Sequence, residues 1–129
     1  MAAVVAFETY ASVSEVISEV LSFCQVNHVS CLVPVLEQRN ARYFLDVLRR
    51  HEPRLVLSSW DRIGLQVIAA AQSVRPKPEV WLFTGYDDET LLREGALFVV
   101  DRVFEKPCDG LKVALEIQRF LGLAPPVPV

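Results

Sequence analysis

The chain reads as an α/β protein with a single doubly wound, five-stranded parallel sheet, (βα)5, and helices on both faces. Three observations predict this. Short apolar runs such as "AAVVAF", "RLVLSS" and "EVWLFT" alternate with longer segments in which apolar residues recur every three or four positions. The runs are apolar at consecutive positions, as strands covered on both faces must be. The connections are short, which suits repeated βα units.

The first run ends its strand near Glu8. In "SVSEVISEVLSFC", Val13, Val16, Ile17, Val20, Leu21 and Cys24 make one apolar helical face, and Ser12 with Glu15 three residues on predicts a capping box. "VSCLVPV" is the second strand, with Pro34 marking an edge strand or a strand end. In "RNARYFLDVLRR", Ala41, Phe44, Leu45 and Leu48 form the stripe of a second helix that Pro53 closes. "RLVLSS" is the third strand, and "GLQVIAAAQSV" the third helix, stopping before "RPKP". "EVWLFT" is the fourth strand and "DDETLLREGA" the fourth helix, where Asp87 and Asp88 suit the positive end of the helix dipole. "VFE" lies in the fifth strand. The fifth helix is "DGLKVALEIQRFLG", with Asp109 as N-cap and Gly122 as the C′ residue. Residues 1–122 therefore form one domain, and 123–129, ending in "APPVPV", a Pro-rich tail or the start of a linker.

Composition excludes several functions. With 129 residues, 52% of them hydrophobic, the chain suffices for one sizeable core. A net charge of −3 provides no basic field for nucleic acid. No apolar run is long enough to span a bilayer and no signal peptide opens the chain, so it is expected to be cytoplasmic and not bound to membrane. Cys24, Cys31 and Cys108 are odd in number and lack C-x-x-C spacing, which predicts buried free thiols rather than a disulfide framework or a zinc site. No G-x-G-x-x-G, P-loop or G-x-S-x-G occurs, so neither an enzyme nor a cofactor is expected.

In such a sheet, ligands gather beyond the carboxyl ends of the strands. Those ends bring Glu8 and Thr9, Ser59 and Trp60, Thr84 and Gly85, and Lys106 and Pro107 to one edge. "WLFTGYDDE" followed by "FEKP", with Lys106 22 residues after Thr84, resembles the response-regulator receiver domain, as do "PRLVLSSW" and "GLQVI". The resemblance implies a flavodoxin-like strand order, 2-1-3-4-5. It also implies a bacterial two-component setting, in which an aspartate after the third strand takes a phosphoryl group from a histidine kinase. In that family two acids after the first strand hold Mg²⁺, and a threonine and a lysine contact the phosphoryl oxygens. By register the acceptor falls on Ser59 and the acidic pair on Glu8 and Thr9, while Thr84 and Lys106 are retained. The loop from Ser59 to Gly64 is about three residues shorter than the family's, and the position of its inward-swinging aromatic is Val103, with Phe104 one place later and facing the other way.

The expectation is a vestigial phosphorylation pocket at Glu8, Thr9, Ser59, Thr84 and Lys106, with Mg²⁺ not bound. Ser59 has no histidine nearby to take its proton, since His28 and His51 fall at the opposite ends of the strands. Asp61 is the candidate displaced acceptor, its simpler role being a helix cap. Function moves to an interaction surface: Trp60, at the mouth of the pocket, where it plugs the cavity or stands exposed as interface aromatics do, and Arg93, Phe98, Arg102, Phe104 and Arg119, on the face of the fourth helix, fifth strand and fifth helix. There a protein partner or a second copy would bind independently of phosphorylation. Within "GALFVVDRVF", Leu97 to Val100 either belong to a fully buried fifth strand, or Phe98 or Val99 extends an apolar patch on that face.

Overall fold

The structure, a computed structural model, describes residues 2–9, 11–33, 41–59, 63–84, 100–105 and 110–123. Its strands are β1 (Val4–Glu8), β2 (His28–Leu32), β3 (Leu55–Ser59), β4 (Glu79–Thr84) and β5 (Arg102–Glu105). They form one sheet in the order β2-β1-β3-β4-β5, and every pairing is parallel. The described helices are α1 (Ala11–Phe23), α2 (Ala41–His51), α3 (Gly64–Ser73) and α4 (Gly110–Leu121), the last being the helix expected as the fifth. This is the doubly wound parallel sheet that the alternation predicts, in the flavodoxin-like strand order that the resemblance implies. "DDETLLREGA", Pro34, Asp109 and 124–129 lie outside the described residues.

Alternation along each strand splits the core in two. Val5, Phe7, Val56, Val80 and Leu82 point to the face covered by α2 and α3, where they meet Phe44, Val47, Leu48, Val67 and Ala71. Val4, Ala6, Leu55, Leu57, Trp81 and Phe83 point to the other face, against Leu21, Cys24, Val113, Ala114 and Ile117 of α1, its C-terminal turn and α4. All five residues of β3 are buried, which explains its unbroken apolar run. Val103 packs with the first core and Phe104 with the second, so these two do face opposite ways.

Two helix ends follow from backbone chemistry. Gly122 takes φ +74°, its N–H donates to the Arg119 carbonyl and the Leu123 N–H to the Gln118 carbonyl. That is a Schellman cap with Gly122 at C′, as read from the sequence. The α2 helix ends at His51, and Glu52, at φ +46°, reverses the chain into Pro53.

Several expectations need correction. Helix α1 begins at Ala11, so Ser12 sits in its first turn rather than at the N-cap. Val16 is exposed, because Ile17, Val20, Leu21 and Cys24 already fill the stripe facing the sheet and Val16 lies about 40° beyond Val20 at its margin. In α2 Phe44, Val47 and Leu48 are buried among the described side chains, and Leu45 is only half-buried. Cys24 is buried but Cys31, on the edge strand β2, is half-buried. Val100 is half-buried and precedes β5 rather than belonging to it. The cause is Asp101, whose N–H donates to the Val80 carbonyl while its carboxylate accepts the Val80 N–H, both at 2.9 Å. A side chain thus takes the donor that further strand pairing would need. Leu97, Phe98 and Val99 lie outside the described residues.

Candidate functional site

The carboxyl edge is built by register. Glu8 pairs with Leu32, and Phe7 with Ser58, which sets Glu8 level with Ser59. Ser59 pairs with Phe83, and Phe83 with Phe104. In-register residues of a parallel sheet point to the same face, so Glu8, Ser59, Phe83 and Phe104 form one row on the α1 and α4 side. Thr84 pairs with Glu105 one step further along. Of the expected pocket, the structure therefore brings Glu8, Thr9, Ser59 and Thr84 to one edge; Lys106 lies outside the described residues, as do Trp60, Asp61, Arg93 and Phe98.

The row holds one carboxylate. Glu8 is 2% exposed, and its Oε1 accepts the Thr9 backbone N–H at 2.8 Å and the Thr9 hydroxyl at 3.3 Å. Such bonds offset the cost of keeping a carboxylate out of water. Ser59 is likewise 2% exposed, and the neighbouring Ser58 hydroxyl donates to the Ser59 carbonyl at 2.9 Å. A buried serine hydroxyl is a weak nucleophile without a base to activate it. Neither histidine is placed to serve. His28 opens β2, at the far end of the strand, where its Nδ1 bonds the Val26 carbonyl at 2.8 Å and its Nε2 the Ser18 hydroxyl at 3.2 Å. His51 closes α2 before β3 begins, and burial pushes its pKa down.

The other half of the row is aromatic. The Phe83 and Phe104 rings stack at 5.2 Å and 18°, and Trp81 lies 5.7 Å from Phe104 and 5.8 Å from Phe120. The Arg102 guanidinium covers this group, 4.8 Å above Phe104 and 5.0 Å above Trp81, and is held by Glu116 of α4 at 2.7 Å. Exposed cation–π contacts of this kind contribute about 0.5–1 kcal/mol. Below it, burial and the Asp101 charge raise the pKa of Glu79, with the Trp81 indole and Arg102 pulling the other way. Phe104 is thus half-buried in the core, whereas Arg102 and Arg119 reach solvent.

The alternation in "EVWLFT" puts Trp81 and Phe83 on one face, but their meeting with Arg102, Phe104, Glu116 and Phe120 depends on strand order, which periodicity does not contain. The stack was therefore missed in the sequence. A cleft of about 270 Å³ between the ends of α2 and α3, lined by Leu48, Arg49, Pro53, Val74 and Arg75, lies at the opposite edge of the sheet. Arg75 is committed there to the carbonyls of Gln72 and Val74. Among the described residues no three His, Cys, Asp or Glu side chains are grouped to hold a metal ion, and no helix is long and apolar enough to cross a membrane.

No family model matches the chain, and no curated protein matches it. Solved structures do. A response regulator receiver protein from Burkholderia phymatum is 23% identical, with a TM-score of 0.68 over 96% of this chain and 98% of that one. A BeF3-activated DrrB receiver domain is 20% identical, with a TM-score of 0.71 over 95% and 98%. A CheY-like receiver domain from Methanospirillum hungatei is 16% identical, with a TM-score of 0.72 over 92% of each chain. At these identities the likeness is one of fold, and it spans nearly the whole length of each partner. Mg²⁺ takes near-octahedral oxygen coordination, usually from one or two carboxylates with water and phosphate. Among the described side chains in this row Glu8 is the one carboxylate, with one oxygen already accepting two bonds from Thr9, and by itself it does not fit the ion.

Proposed function

We propose that the chain is a pseudoreceiver: a receiver-like domain of bacterial two-component signalling that works by binding a protein, without phosphorylation and without enzymatic activity. The observation that carries this is Ser59, a neutral hydroxyl sealed at the end of β3, level with Glu8 and beside the Phe83–Phe104 stack. A neutral hydroxyl takes a phosphoryl group where a base accepts its proton and the donor can reach it; Ser59 is buried, and neither histidine is placed to serve as that base. Thr9, where a second metal-binding acid would stand, instead donates to Glu8. Val103 in place of the inward aromatic supports the same reading, because no ring is there to report a change in the pocket.

With the pocket silent, the edge of β5 and α4 is the partner surface. Arg102 and Arg119 reach solvent there; from their places in the sequence we assign Arg93 and Phe98 to the same face and Trp60 to the mouth of the pocket. Arg119, with the N–H groups of Arg102 that Glu116 does not engage, suits a partner that presents carboxylates. The domain is assigned to the cytoplasm.

Intact-mass measurement after incubation with acetyl phosphate and Mg²⁺ tests the reading. An unchanged mass is expected. A phosphoryl adduct that peptide mapping places on Asp61 or Ser59 would replace it with a relay domain whose acceptor has moved.

A further inference from the structure

β2 and β5 are the outer strands of the sheet, and the two edges are finished differently. β5 carries Arg102 and Glu105 among its four residues, and charge on an edge strand guards it against pairing with another chain. β2, His28 to Leu32, carries no Lys, Arg, Asp or Glu, and no described strand lies beyond it. Its backbone groups alternate between β1 and the open side. The Asn27 carbonyl accepts from Ala3 and Val4, and the Val33 N–H donates to the Glu8 carbonyl, so the odd-numbered positions from 27 to 33 turn to β1. His28, Ser30 and Leu32 therefore aim their N–H and C=O groups outward, where no described backbone group meets them.

The side chains of β2 leave this edge open to a neighbour. Every residue of the strand is at least partly exposed, and Leu32 reaches 43%. The His28 ring is tied down, with one nitrogen on the Val26 carbonyl and the other on the Ser18 hydroxyl. Val29 and Cys31 lie on the face toward α2, level with Val5 and Phe7 of the core. The Ser30 hydroxyl oxygen is buried and has no hydrogen-bond partner within the chain.

From this uncharged edge and its outward backbone groups we infer that two copies of the chain pair β2 against β2, antiparallel, about a two-fold axis beside Ser30. An isologous contact requires a surface complementary to itself, and this edge meets that condition residue by residue. With Ser30 opposite Ser30, His28 falls opposite Leu32, so every outward residue meets an outward residue and each such pair exchanges two N–H···O bonds. At the axis a residue faces its own copy, where a charge would repel itself; Ser30 is neutral. The two Ser30 Cβ atoms come within about 5.5 Å, close enough for one hydroxyl to donate to the other and satisfy it. Val29 falls opposite Cys31, and Leu32 packs on the tethered His28 ring. Each copy has one such edge, so assembly stops at two, and a contact about 17 Å long is that of a reversible dimer. β2 lies at the opposite edge of the sheet from β5, and the inference stands whether or not the pocket accepts phosphate.

Sedimentation equilibrium of the full chain reads the association, and a disulfide reads its register. In Val29→Cys the new thiol lies opposite the second copy's Cys31 in a non-hydrogen-bonded pair, where Cα atoms about 4.5 Å apart are within the span of a disulfide. Mild oxidation is expected to give a covalent dimer that peptide mapping places between positions 29 and 31, and Val29→Cys/Cys31→Ser to give no bridge from position 29. Two further variants weaken the edge itself. Ser30→Pro removes a donor that only the second copy uses, and Leu32→Lys puts a charge on an exposed position of the strand. Each is expected to raise the dissociation constant about tenfold or more, with an unchanged circular dichroism spectrum confirming the fold. A wild-type chain that stays monomeric overturns the inference. So does a dimer indifferent to Leu32→Lys, or one in which Val29→Cys bridges elsewhere or not at all.

Discussion

Replacing Ser59 with aspartate puts a second carboxylate at the end of β3, beside Glu8, and tests how the two strand ends are arranged. Ser59 and Glu8 are buried at the same level on adjacent strands, whose spacing is about 4.8 Å. Two like charges about 5 Å apart at an effective dielectric constant of about 20 repel by roughly 3 kcal/mol. A domain of this size is stable by about 5–15 kcal/mol, so the loss is readily measured. Its sign depends on pH. The crowded carboxyl titrates above its unfolded value of about 3.9, so the penalty is absent below that value, grows as pH rises through the folded pKa, and is complete above it. Urea unfolding of wild type, Ser59→Asp and the neutral Ser59→Asn, at acid and neutral pH, separates charge from bulk. The deficit of Ser59→Asp relative to Ser59→Asn is expected to widen toward neutrality and to shrink when Mg²⁺ is added, since two carboxylates can share the cation. A deficit independent of both pH and Mg²⁺ would refute the placement of Glu8 beside position 59.

Other substitutions test the supporting structure. Because burial and Asp101 raise the pKa of Glu79, wild-type stability falls as pH rises from about 4.5 through the folded value. Glu79→Gln should therefore gain stability at pH 7 and none below the unfolded pKa, as read by paired denaturant melts; equal gains at both would be contrary. Gly122→Ala places a Cβ on a backbone at φ +74° and should cost about 1 kcal/mol by urea unfolding. Phe104→Ala removes a half-buried ring from the Phe83–Trp81 stack and should cost about 2 kcal/mol, seen as a lower thermal midpoint. A neutral Phe104→Ala would mark Phe104 as a surface residue instead.

What the sequence made legible is what local pattern determines. β3 and β4 declare themselves because their residues are buried on both faces, and Gly122 because only a left-handed residue closes α4 as it does. Val16 shows where pattern fails: its apolarity matches the helical stripe, but whether it is covered depends on what lies beside α1. Asp101 shows another limit, since a carboxylate that ends strand pairing looks in sequence like any acid in a loop. At the site, Glu8, Ser59 and Thr84 could be placed from strand ends alone. The Arg102 canopy over Trp81 and Phe104 could not, because it joins β4, β5 and α4 through contacts that no local spacing encodes.

The central claim is that this receiver fold has no working phosphoryl pocket. Amide NMR spectra of the full chain, recorded with and without Mg²⁺ and beryllofluoride, test it most directly, because that reagent mimics a phosphoryl group on an acceptor carboxylate. The account predicts spectra that do not change. Shifts gathered at Glu8, Asp61, Thr84 and Lys106 would contradict it.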